Sequence, residues 1–153
     1  MKIRSADMVL LELRDKLREV LPSKITELNN DRTDFKLNQI QPGCFFLNVA
    51  EATNAAQFVV LFGALGNTKN AGKHTAETLT VDLFVGFVPT SYKTAEQAMC
   101  ASYRYQAALK EAFARMELPY GHIHYVGAEP PGSMRVNNQA LYGAMLSYEI
   151  QLF

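Results

Sequence analysis

Apolar and polar positions follow two periods along this chain, and each marks its elements. From Ser5 the apolar residues Leu10, Leu13, Leu17, Val20 and Leu21 recur at helical spacing. Glu12, Arg14, Asp15, Lys16, Arg18 and Glu19 fall between them and give the wet side. Ser5 suits an N-cap, Asp7 suits the positive end of the helix dipole, and Pro22 is expected to end the helix. Residues 23 to 43 are mixed. Ile25 and Leu28 could anchor a short segment, Asn29-Asn30-Asp31 and Pro42-Gly43 read as turns, and Phe35 to Ile40 reads as a short edge strand. Cys44 to Val49 is an apolar patch without a clear period.

Gln57 to Leu65 reads as a buried strand centred on Phe58-Val59-Val60-Leu61-Phe62. Gly66 to Glu77 is small and polar and reads as a loop. Thr78 to Val88 alternates with the period of a strand, placing Leu79, Val81, Leu83, Val85 and Phe87 on one face. Its other face begins polar with Thr80 and Asp82 and turns apolar at Phe84 and Val88. Such a strand belongs inside a sheet covered on both sides, or meets a partner on the second. Pro89 stops it.

Thr94 with Gln97 three residues on has the form of a capping box, opening a helix to about Met116. Ala95, Ala98, Met99, Ser102, Gln106, Leu109, Phe113 and Met116 are its expected buried stripe, with Tyr103 and Tyr105 flanking it. His122 to Ala128 reads as a short strand, Glu129 to Asn138 as a polar connection, and Leu141 to Phe153 as a final alternating strand. The predicted fold class is α+β, a mixed but mainly antiparallel sheet packed against two principal helices in a single domain spanning 1–153.

Composition narrows the function classes. With 153 residues, 48% apolar and 20% charged, the chain can build a sizeable core. Fifteen basic residues balance fifteen acidic ones, and no basic run marks a phosphate-binding face. Cys44 and Cys100 make no disulfide framework and read as two small buried hydrophobes in a reducing compartment. The first residues lack the apolar core of a secretory signal, and no apolar run reaches the length of a membrane helix, so a soluble protein made in a cytoplasm is expected.

The candidate chemistry is sparse. Gly72-Lys73 resembles the end of a phosphate loop, but Asn67 stands where a glycine is needed and His74 where Ser or Thr is needed. A strand follows instead of a helix, so a hairpin loop is the expectation. His122 and His124 are two apart on a strand and share a face, a spacing that can hold a metal. A closed zinc site needs further ligands, and the sequence supplies none at ligand spacing. Two surface histidines on an edge strand are therefore expected. No nucleophile stands beside a base, so no catalytic, cofactor or metal residue is assigned and the chain is read as a non-enzyme. Tyrosines at 92, 103, 105, 120, 125, 142 and 148 suit either an interface or the rim of a core. Segments 66–77 and 129–138, read as long loops, are better hints, since loops of that length are usually functional or disordered.

The order of elements resembles the tail terminator, or tail completion, proteins of long-tailed bacteriophages and prophages. The resemblance covers most of the chain: an opening helix like Ser5-Ala6-Asp7-Met8-Val9-Leu10-Leu11-Glu12-Leu13, a strand pair like Phe58 to Leu65 and Thr78 to Val88, an alanine-rich helix like Thr94 to Met116, and a last strand like Leu141 to Phe153. It implies a structural virion protein without cofactors. Copies would form a hexameric ring on the head-proximal end of the tail tube, ending tube polymerisation and giving the surface that joins the head. The implied partners are other copies of itself, the tail tube protein and head–tail connector proteins. DNA would pass through the ring as cargo without specific binding, and no membrane is involved. A ring needs two different adhesive faces on each subunit; the second face of strand 78–88 and the tyrosine-bearing helix are the expected pair, with 66–77 projecting to the lumen or the tube. The alternatives are a head–tail connector (neck) protein, a small-molecule or metal-binding module using His122 and His124, and an enzyme whose site is assembled between subunits.

Overall fold

The computed structural model describes residues 5–52, 54–65, 69–71, 74–118, 121–136 and 138–152. The first element is a long helix, α1 (Ala6–Asn30), which buries Val9, Leu10, Leu13, Leu17, Leu21 and Ile25. This is the stripe read from the sequence, prolonged by two turns. Pro22 lies inside the helix and does not end it. A proline there costs about 3 kcal/mol, and three features offset it. Ile25 becomes fully buried and Leu28 packs against the core. The Thr26 hydroxyl donates to the Pro22 carbonyl, and the Gln39 side-chain amide donates to the same carbonyl. Ser23 closes the turn by donating to the Val20 carbonyl.

The stretch from Phe35 to Ile40 is not a strand. It crosses the helical layer in an irregular path, with Leu37 and Ile40 buried. Its backbone is satisfied by side chains in place of a ladder. Asn29 accepts from the Leu37 N–H at 2.7 Å and donates to the Leu37 carbonyl at 3.0 Å, while the Tyr105 hydroxyl donates to the Asn38 carbonyl at 2.7 Å. The apolar patch after Pro42 resolves into a two-residue strand, β1 (Phe45–Phe46), and a short helix, α2 (Val49–Ala52).

The sheet is completed by β2 (Gln57–Leu65), β3 (Lys69–Ala71), β4 (His74–Phe87), β5 (Gly121–Val136) and β6 (Gln139–Leu152). Its strand order is β1-β2-β4-β6-β5, with β3 paired to β4 beside the main path. All pairs are antiparallel except β1 with β2. The fold is α+β, as the pattern of periods implies.

The two segments read as long loops are largely sheet. His74 to Glu77 extends β4, and Lys69–Ala71 folds back on it; residues 66–68 and 72–73 lie outside the described ones. The expected connection from Glu129 is a continuation of β5, which runs on to Val136. Pro130 and Pro131 fit because the ladder shifts register between Glu129 and Gly132, and because β5 is an edge strand whose outer side needs no N–H donors. Asn138, at φ 63°, makes the turn back into β6 in a left-handed conformation that asparagine tolerates.

One sheet face carries Leu79, Val81, Leu83, Val85 and Phe87 of β4 with Leu146, Tyr148 and Ile150 of β6, covered by α1 and α3 (Ala95–Ala114). Thr94 caps α3, accepting from the Gln97 N–H at 3.1 Å. The Gln97 side chain faces the Lys93 N–H, one residue before the position a capping box uses. The buried stripe of α3 is Ala98, Ala101, Ser102, Tyr105, Ala108, Leu109, Ala112 and Phe113, so Tyr105 sits at the centre of the stripe and Ala95 is exposed. Five of those eight are Ala or Ser, and their small bulk brings the helix close to the sheet.

Candidate functional site

The far face of the sheet is the surface that neither α1 nor α3 covers. Phe58, Val60 and Phe62 of β2, Phe84 of β4 and Met145 of β6 point there, as their alternation with the buried face requires. Cys44, Phe46, Val49 and Ala55 pack over part of this row, and Ala52 is fully buried against it. Past its edge an apolar hollow of about 130 Å³ remains, lined by Val49, Phe58, Val60, Phe62, Phe84, Met134 and Met145. Its lining presents no polar surface.

The same face turns polar along the strands. Asp82 stands opposite Phe62 on one side and Ser147 on the other, and the Ser147 hydroxyl donates to the Asp82 carboxylate at 2.6 Å. Thr80, Glu149 and His124 make the next row, and Thr78, Gln151 and His122 the one after. The far face is thus an apolar half continuous with a polar half.

His122 and His124 are exposed on the edge strand, with ring centroids 6.4 Å apart. They border an open groove of about 450 Å³ with Met116, Glu117, Leu118, Gly121 and Ile123. Among the described residues no group of three His, Cys, Asp or Glu side chains is arranged to hold a metal ion.

The tyrosines divide in a way that the sequence leaves open. Tyr92, Tyr105 and Tyr148 are buried and Tyr142 is half-buried. Tyr103 and Tyr125 are exposed, and Tyr120 lies outside the described residues. The Tyr92 and Tyr105 hydroxyls share a 2.8 Å hydrogen bond, and the Asn38 N–H donates to Tyr92. Phe87 packs edge-on against Tyr92 with centroids 5.2 Å apart. Burial pushes the phenol of each of Tyr92, Tyr105 and Tyr148 above its ordinary range. These phenols stay neutral at physiological pH and do the work of core side chains. The Tyr148 hydroxyl has no hydrogen-bond partner among the described residues.

Beside this cluster Arg104 reaches back to residues 34–35. Its guanidinium lies 4.0 Å from the Phe35 ring centroid, donates to the Phe35 carbonyl, and meets the Asp34 carboxylate at 2.7 Å. The Arg104 hydrogen bond, joined by the Phe35 N–H, holds the Asp34 carboxyl down to about 2. The cysteines depart from expectation. Cys44 is half-buried and Cys100 is exposed on α3, because the α3 stripe is set by its alanines and Tyr105. Among the described residues no helix is long and apolar enough to cross a membrane.

Sequence reasoning found the apolar second face of β4 through Phe84 and Val88. It did not find the hollow, because Val49, Met134 and Met145 come from three distant stretches and no period links them. No protein-family model matches the chain, and comparison with the curated proteins finds no match.

Proposed function

We propose that this chain is a non-enzymatic structural subunit of a phage or prophage virion. Copies assemble into a ring that caps the tail tube, ends its polymerisation and presents the surface that joins the head. The observation that carries the reading is the far face of the sheet. The open apolar hollow flanked by Phe62 and Met134 offers a place where a neighbour's apolar side chain can be buried. The order of elements, which resembles that of tail terminators, supplies the particular role. The balanced charge suits a lumen through which DNA slides without being gripped.

The test is to mix the purified protein with a tail tube protein from the same phage or prophage genome and count capped tube ends by electron microscopy. Short tubes bearing one ring at an end are expected. A protein that stays monomeric and leaves tube length unchanged overturns the proposal. Binding to the portal side and not to the tube assigns the neck role instead.

A further inference from the structure

The sheet has two open edges, and they match each other. On one side, β1 covers β2 only at Val59 and Val60. Beyond them Leu61–Leu65 has no strand on its outer side among the described residues, and Gly63 and Ala64 are exposed. On the other side, β5 is the last strand. Its run from Gly121 to Tyr125 is regular. A bulge at Val126 and then Pro130 and Pro131 disrupt the ladder farther on.

The registers place these two edges at the same level. Through β4 and β6, Gly63 is in line with Val81, Tyr148 and Tyr125; Ala64 is in line with Thr80, Glu149 and His124. The two edge strands also run in opposite directions, since three antiparallel steps separate them. A second copy in the same orientation therefore continues the sheet with an antiparallel pair.

The side chains are complementary at that seam. Tyr125, which is 43% exposed, comes level with Gly63, and an edge glycine beside an aromatic residue is a pairing that sheets use. His124 comes level with the small Ala64. Past the bulge, Gly127 comes level with Phe62. At these three levels a large residue on one edge faces a small one on the other, and at the next Ile123 comes level with Leu65.

Exposed apolar side chains stand at both edges. Val126, 57% exposed, projects from the bulge of β5. Beside β2, α1 lays Leu10 over Gly63. Leu11 lies on the side of α1 that carries Arg14 and Arg18, the two arginines facing segment 43–51. It is 37% exposed, and Met8, three residues earlier, is 55% exposed. Both thus flank the open run of β2.

We propose that copies of this chain join head to tail through their sheets, the Ile123–Tyr125 edge of one copy pairing with the Gly63–Leu65 edge of the next. The occupant of each edge is the other edge. The interface is heterologous, and the twist of the sheet rotates each copy relative to the last; a rotation that closes gives a ring and one that does not gives a filament. The inference rests on the self-assembly in the proposed function and adds the surface that performs it.

The experiment uses full-length protein carrying Cys100→Ser to remove the exposed native thiol. One preparation also carries Ala64→Cys and another His124→Cys. Both added positions are exposed, and cooperative unfolding is checked for each. Under mild oxidation, a disulfide-linked dimer is expected in the mixture and not in either preparation alone. Native mass spectrometry of the wild type gives the assembly state in parallel. Wild-type rings without the mixed disulfide overturn edge pairing and leave the proposed function standing. Disulfides formed within a single preparation overturn it as well, by showing a two-fold contact. A wild type that remains monomeric, alone and with tube protein, overturns both.

Discussion

Tyr148 puts a phenol where no described residue bonds it. Its ring is stacked on Phe113 at 4.6 Å and is 3% exposed, so packing holds it in place despite the unpaired hydroxyl. An unsatisfied buried polar group costs about 1–3 kcal/mol. Tyr148→Phe keeps the ring and removes that cost, so the melting temperature should rise by about 2–4 °C, given roughly 1 kcal/mol for a chain of this size. Tyr92, Tyr105 and Tyr148 share a second property. Each phenol has a higher pKa folded than the ordinary 10 of an unfolded chain. The unfolded state therefore loses protons first. Stability should be constant below about pH 10 with respect to these groups and fall as pH rises above it, as denaturant melts across alkaline pH will measure; Tyr148→Phe should flatten the fall. Gly143 is a residue of the opposite kind. A Cβ there would strike the Phe84 ring and come within 2.7 Å of the Val85 carbonyl oxygen. Gly143→Ala should cost about 1–3 kcal/mol by overpacking, seen as a lower denaturation midpoint.

At the level of elements, the stretch between α1 and β1 shows how irregular chain is held as firmly as a strand. Residues 34–38 are tied to α1 by Asn29 and to α3 by Arg104 and Tyr105. Arg104 alone contributes an ion pair, a backbone hydrogen bond and a cation–π contact. Arg104→Ala should lower stability by at least the cation–π share, about 0.5–1 kcal/mol. It should also move the Asp34 carboxyl from about 2 back toward its ordinary 3.8, which a carboxylate NMR titration will follow. The sign is that of a depressed acid. The stability tied to Asp34 is present above the unfolded value near 3.8 and is lost as pH falls toward 2. In the Arg104→Ala protein that acid dependence should shrink, leaving the part held by the Phe35 N–H.

For the whole molecule, the sheet is the organising surface. Its helix-covered face makes the core, its far face is apolar in one half and polar in the other, and its two edges are level and antiparallel to each other. The histidine pair sits in the polar half at the β5 edge, where Gln151 and Glu149 are its cross-strand neighbours. With no three-ligand group among the described residues, added zinc should leave the melting temperature unchanged. A rise of several degrees, abolished by His122→Ala with His124→Ala, would point to the metal-binding reading.

The sequence by itself determined the elements whose residues alternate or recur with a clean period. β2 runs from Gln57 to Leu65 as the apolar run indicates, β4 and β6 bury the faces their alternation marks, and α1 buries the stripe from Leu10 to Leu21. Periodicity reports a local choice of face, and burial of that face is what makes the element. Tertiary structure decided the places where local signals conflicted with packing. Pro22 and the Pro130-Pro131 pair read as breaks, yet the first is overruled by the burial of Ile25 and the second is absorbed in a bulge on an edge strand. Phe35 to Ile40 alternates like a strand, yet side chains far away in sequence take its hydrogen bonds. Which tyrosines enter the core, and that β2 and β5 end up as level, opposed edges, depend on strand order. Strand order follows from pairings between distant residues, such as Glu77 with Leu152, and no local period carries that information.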